Sequence, residues 1–84
     1  MPMRDDTRNW ILADQAHCWH PFPRQGDWCA AGHEPLVLTH GEGVWLWDSE
    51  GRRYLDGNSS IWTNIHGHGH PVISAAIREQ LEKV

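Results

Sequence analysis

The sequence predicts an α+β chain in the order N-terminal helix, irregular loop, three-stranded antiparallel meander, C-terminal helix, and three observations carry that reading. Leu36–Thr39, Val44–Trp47 and Arg53–Leu55 are short runs rich in β-formers, separated by His40-Gly41-Glu42-Gly43 and Asp48-Ser49-Glu50-Gly51. Behind Pro71, the residues Ile73, Ile77, Leu81 and Val84 recur at spacings of four and three, the apolar stripe of a helix. Between these, the stretch from Asp56 to Pro71 mixes polar, aromatic and glycine residues where a core strand would alternate, so we expect a binding loop there.

Each element has a local reason. Asp5-Asp6-Thr7 offers a helix start, and Arg8 to Cys18 lacks Pro and Gly, which predicts a first helix of about three turns with an irregular apolar face. Pro21, Pro23 and Gly26 then stop any helix, and Phe22 before Pro23 is pushed toward extended geometry, so Trp19 to Glu34 is expected to be irregular. In the meander, period two puts Val44 and Leu46 on one face and Trp45 and Trp47 on the other. Both faces are then apolar, and something larger has to cover the sheet. Pro71 suits the first turn of the last helix, where its missing N–H would be unpaired anyway. The stripe runs to Val84 without a terminating Gly, Asn or Pro, and we expect it to continue in a longer protein.

Composition removes several function classes. With 84 residues, one small domain is the upper bound, and a chain of that size buries only about 60% of its unfolded surface. Eleven acidic against seven basic residues give a net charge of −4, with no Lys/Arg cluster to displace counterions from a phosphate backbone, which argues against nucleic acid. No apolar run approaches bilayer length, and Met1 to Arg8 is of mixed charge, unlike a secretory signal. Cys18 and Cys29, with ten residues between them, match neither a redox Cys-x-x-Cys nor a paired zinc knuckle; we expect two buried thiols and a reducing cytoplasm.

Three groups of residues could carry chemistry. His66, His68 and His70 alternate with glycines, and in an extended segment they would point the same way and could hold a metal such as zinc. No Asp, Glu or Cys lies within that spacing to complete the site, and His70 is expected at a helix N-terminus, where imidazole can satisfy a backbone N–H. Gly67 and Gly69 ahead of a helix could cradle an anion, although tight-turn glycines explain them as well. Ser59-Ser60-Ile61-Trp62 is the sharper candidate, since an aromatic plane there can pack on an aliphatic chain. The competing reading is that Trp62 is plain core.

The order Trp19-His20-Pro21-Phe22, then Asp48-x-x-Gly51-x-x-Tyr54-Leu55-Asp56-Gly57, then Ser59-Ser60-Ile61-Trp62 and a His-Gly-rich turn into a helix resembles the N-terminal region of class III aminotransferases, over roughly residues 6 to 84. Those enzymes are pyridoxal-phosphate-dependent transferases of fold type I (α/β), and Ser-Ser-Ile-Trp is most similar to the branch that aminates 8-amino-7-oxononanoate in biotin biosynthesis. The resemblance implies a homodimer, a small-molecule substrate and an amino donor, S-adenosylmethionine or lysine. It also implies that Phe22, Ile61 and Trp62 line the substrate pocket. Ile61 stands where many relatives carry a first tryptophan, Phe22 lacks the phenol hydroxyl of relatives with Tyr, and Pro23 replaces a usual Thr.

Family members run to several hundred residues, so residues 1–84 are expected to be the N-terminal segment, with the catalytic large domain outside them. Lys83 is the only lysine and sits outside any matching motif, so it is not the lysine that holds the cofactor, and no catalytic, cofactor-binding or metal-ligating residue is assigned. The segment alone is expected to be inactive. Two alternatives stay open: a segment of another class III ω-aminotransferase, or a Trp- and His-rich module that binds a metal or other ligand without being an enzyme.

Overall fold

Acidic residues at a helix start and a basic residue at its end favour the backbone dipole, and Asp5, Asp6 and His17 take those places in α1 (Asp5–His17) of the computed structural model. The structure describes residues 2–84. Only Thr7 and Ile11, one turn apart, are buried on α1, while Trp10 and Leu12 face outward, the irregular face the sequence predicts. The Thr7 hydroxyl donates to Ser49 Oγ, and the Arg4 N–H donates to Glu50 Oε1 at 2.9 Å. These bonds dock the helix on the turn between the second and third strands.

The loop after α1 departs from its expected irregularity by one helical turn, α2 (Gln25–Trp28). Its cause is Asp14: the Trp28 indole N–H donates to Asp14 Oδ2 at 2.7 Å, which fixes the turn over α1.

The meander forms as predicted, β1 (Leu38–Glu42), β2 (Trp45–Asp48) and β3 (Arg53–Leu55), antiparallel in the order β1-β2-β3. The first strand, however, starts at Leu38 rather than Leu36 and runs through His40-Gly41-Glu42, residues the sequence assigns to a turn. The reason is Gly43. At φ 58 it takes the left-handed conformation that a two-residue hairpin loop needs, so the reversal contracts to Gly43-Val44 and pairing reaches Glu42↔Trp45. Gly41 can sit inside the strand because its lack of a side chain is used: a Cβ there would lie 2.8 Å from His68 Cβ and 2.9 Å from Leu46 Cδ2. Trp47 stacks on His40 with ring centroids 4.5 Å apart, and the Arg53 guanidinium lies 4.0 Å over the Trp45 ring.

Asp48 closes the β2–β3 turn. Its Oδ1 accepts from the N–H of Glu50 (3.0 Å) and of Arg52 (2.8 Å), and its Oδ2 from Arg52 Nε (2.7 Å) and the Tyr54 hydroxyl (2.8 Å). Burial pushes the carboxyl pKa up, but the Arg52 backbone N–H, the Tyr54 hydroxyl and the Arg52 guanidinium together hold it down at about 2.

Pro71 opens the last helix, α4 (Pro71–Leu81), as expected. Its stripe is uncovered: Ile73, Ile77, Leu81 and Val84 are all exposed. Among the described residues Ile11 is the one buried hydrophobic side chain. The accessible surface is 7088 Å2, against roughly 5,100 Å2 for a compact protein of this mass. The radius of gyration is 15.4 Å, against about 12 Å for a compact chain of this length. Cys18 and Cys29 are exposed free thiols at the C-caps of α1 and α2, not the buried pair expected, because the described residues, which bury only Ile11 among their hydrophobic side chains, offer no core to receive them. No helix among the described residues is long and apolar enough to cross a membrane.

The uncovered stripe on α4 and both sheet faces predict that the isolated 84-residue chain associates with itself and binds a hydrophobic dye. Sedimentation velocity checks this; a dilution-stable monomer without dye binding would contradict it. For Asp48, the folded pKa of about 2 lies below the ordinary value of 3.8. Its stabilisation is therefore complete above pH 3.8 and is lost as pH falls through 2. Carboxyl-carbon NMR should place its midpoint near 2, and Arg52→Ala should move it up toward 3.8. A midpoint indifferent to Arg52 would refute that assignment.

Candidate functional site

After β3 the chain has to turn back toward α4, and a single carboxylate organises that reversal. Asp56 is fixed by its backbone N–H, which donates to the Val44 carbonyl at 2.8 Å across the hairpin tip. Its Oδ1 accepts from the Ser60 N–H at 3.2 Å, while its Oδ2 meets Ser60 Oγ at 3.1 Å and His68 Nε2 at 2.6 Å. His68 is held in turn by reciprocal backbone bonds with Gly43, 3.1 and 2.8 Å, and its Cβ packs over Gly41. The His68 ring, then the Ser60 N–H, draw the Asp56 pKa below its usual value.

The residues held between these bonds adopt a conformation that sequence alone does not announce. Ser59, Ser60, Ile61 and Trp62 all have positive φ, from 51° to 66°, so the four-residue turn α3 (Ser59–Trp62) is a left-handed helical turn. Side chains with a Cβ disfavour this region by about 1–2 kcal/mol per residue, and L-residues seldom occupy it consecutively. Three backbone bonds close the turn: Trp62 N–H to the Asn58 carbonyl at 2.9 Å, and Thr63 and Asn64 N–H to the Ser59 carbonyl at 2.9 and 3.0 Å. The Thr63 hydroxyl adds a bond to the Ser60 carbonyl at 2.8 Å.

The turn faces Ile61 and Trp62 outward, with Trp62 86% exposed. Behind it a cavity of about 130 Å3 is lined by Val44, Asp56, Ser59, Asn64 and His68, and neither Ile61 nor Trp62 reaches into it. Phe22, 85% exposed, lies on the loop between α1 and α2. Its neighbour His20 is anchored, Nε2 lying 2.8 Å from Asp14 Oδ1 and the ring 4.2 Å from the Trp28 ring. The Trp28 indole N–H lowers the Asp14 pKa, with His20 adding to it. Ile61 and Trp62 are thus both exposed on one turn; no hydrogen bond, ion pair or ring contact among the described residues joins Phe22 to them.

The histidines do not share one side. Gly67 and Gly69, at φ 89 and 65, break the extended geometry the alternation assumes. His68 turns to Asp56, while His66 and His70 meet edge-on with centroids 6.1 Å apart. His70 caps no backbone N–H, contrary to expectation, and its Nδ1 has no hydrogen-bond partner. Among the described residues no group of three or more His, Cys, Asp or Glu side chains is placed to hold a metal ion. Asp14, Asp48, Asp56 and His68 are the organising residues that sequence reasoning missed. A local signal existed only for Asp48, at the start of a glycine-bearing turn; the Asp56–His68 pair spans twelve residues.

Residues 28–84 match the family model described as Aminotransferase class-III. An adenosylmethionine-8-amino-7-oxononanoate aminotransferase of Nitratidesulfovibrio vulgaris is 54% identical over 71 residues, 84% of this chain and 13% of that protein. The protein of the same name from Geobacter sulfurreducens is 46% identical over 77 residues, 92% of this chain and 16% of its own. The fold is similar to a thermostable (S)-enantioselective omega-transaminase from Thermomicrobium roseum, with TM-score 0.80 and 39% identity, covering 100% of this chain and 18% of that one. The chain thus spans under a fifth of the length of each of these relatives.

Proposed function

Because the chain belongs to the class III aminotransferase family, we propose that residues 1–84 form the N-terminal, pocket-lining segment of an aminotransferase that converts 8-amino-7-oxononanoate to 7,8-diaminononanoate. The observation that carries this reading is the left-handed turn, which holds Ile61 and Trp62 out of this chain's own packing, where they are free to contact something else. The names of the relatives from N. vulgaris and G. sulfurreducens supply the substrate. In this reading Trp62 offers a flat face and Ile61 a branched one to the aliphatic chain of the oxo-acid, and both exclude water from it. Phe22 stacks without a hydroxyl to donate, so it contributes shape rather than a hydrogen bond.

Pyridoxal 5′-phosphate is the cofactor that the family resemblance implies, and it needs a lysine to attach to. Lys83 lies past the end of α4, largely exposed, with Nζ 3.4 Å from Glu79 Oε1. It does not fit that role. The attachment point belongs outside residues 1–84, as does the homodimer's remaining surface. The similarity to the T. roseum ω-transaminase favours a second reading, a class III enzyme with a different amino acceptor.

Kinetics of the complete enzyme separate wall from core. A buried Trp covers about 150–250 Å2, and one face, about half of that, is worth roughly 2–3 kcal/mol at about 25 cal/mol per Å2, so Trp62→Ala should raise KM for the oxo-acid by about tenfold or more. The change should leave the melting temperature nearly as it was. A large stability loss with unchanged KM would assign Trp62 to the core and overturn the reading. An unmeasurable rate with 8-amino-7-oxononanoate alongside turnover of other ketones would favour the ω-transaminase reading.

A further inference from the structure

Four consecutive residues with side chains do not take left-handed φ without something that holds them there. The contacts around α3 identify what does. Asp56 reaches into the turn at Ser60 through both carboxylate oxygens, 3.2 Å to the N–H and 3.1 Å to Oγ, and reaches out of it to His68 Nε2 at 2.6 Å. His68 cannot follow the turn if the turn moves, because its backbone is bonded twice to Gly43 and its Cβ sits against Gly41. Asp56 itself is bonded to Val44 through its own N–H. The turn is therefore referenced through one carboxylate to the hairpin tip Gly43-Val44, and the orientation of Trp62 follows from the handedness of the backbone beneath it.

We propose that Asp56 and His68 are positioning residues, a clamp that keeps Ser59–Trp62 left-handed and thereby sets the direction of the Ile61–Trp62 wall. That the wall meets substrate rests on the functional reading above; that the clamp sets the handedness does not. Loss of Asp56 releases the turn toward right-handed conformations, which withdraws Trp62 from its outward position. Glycine, which accepts positive φ without a steric cost, replaces the clamp by another route.

The test uses the complete aminotransferase carrying this segment, with hydrogen exchange of the Trp62, Thr63 and Asn64 amides as the primary readout, since those N–H groups close the turn. In Asp56→Ala their exchange should speed up by roughly tenfold or more, and adding Ser59→Gly and Ser60→Gly should restore most of the protection. KM for the oxo-acid should rise and recover in parallel, with kcat changed far less. Should Asp56→Ala not fold, Asp56→Asn keeps an acceptor for the Ser60 N–H but weakens the bond from His68, and the same ordering of exchange rates is expected. Unchanged exchange in the Asp56 variants, or fast exchange that the glycines do not slow, would overturn the clamp. Recovered protection with KM unaffected throughout, matched by an unaffected KM in Trp62→Ala, would confirm the clamp and remove the wall reading instead.

Discussion

The Asp56 carboxylate is the constraint on which the second half of this chain depends. It joins three segments that share no apolar core: the end of β3, the left-handed turn and the His68 loop. Asp56 and His68 are each held by backbone bonds to the hairpin tip, at Val44 and Gly43, so the carboxylate ties the turn to a fixed pair rather than bridging two free loops. The rigidity is what allows an unfavourable backbone to persist. Were the turn supported only by its own three backbone bonds, nothing in its sequence would favour left over right, and the right-handed form would be the relaxed one.

Two other aspartates do comparable jobs. Asp48 gathers four donors at the β2–β3 turn and is the most deeply buried charged residue among those described. Asp14 takes the Trp28 indole and the His20 ring and so shapes the loop that carries Phe22. Side-chain carboxylates can organise a chain in this way when apolar burial is nearly absent, because hydrogen bonds to an ionised acceptor are short and directional. The hydrophobic side chains left over, on α4, on the meander and at Ile61 and Trp62, are surface with no cover within this chain. Local shape and global stability are thus divided: the aspartates supply the first, and in the proposed enzyme contacts outside residues 1–84 supply the second.

The sequence is legible where local chemistry decides the backbone. The acidic start of α1, the β-formers of the meander, Pro71 and the stripe behind it all lead to the elements observed, because each acts within a few residues. The β1 register is not legible, since it turns on whether Gly43-Val44 or the whole run His40–Gly43 makes the reversal, and a glycine that takes either sign of φ leaves that choice open in the sequence. The handedness at Ser59–Trp62 is invisible for another reason. Serine, isoleucine and tryptophan carry no preference for positive φ, and the partner that imposes it lies in the hairpin and the His68 loop. Family resemblance locates the candidate wall, Phe22, Ile61 and Trp62, but says nothing of how two of the three are aimed.

Handedness and aim are one quantity in this segment, the backbone dihedrals from Ser59 to Trp62. A crystal structure of the proposed complete enzyme measures them directly. Four positive φ values near 51° to 66° are expected, with His68 Nε2 bonded to the Asp56 carboxylate and the Trp62 face open to the substrate cleft. A right-handed or extended turn, or a left-handed one that stands with His68 swung away from Asp56, would contradict the clamp.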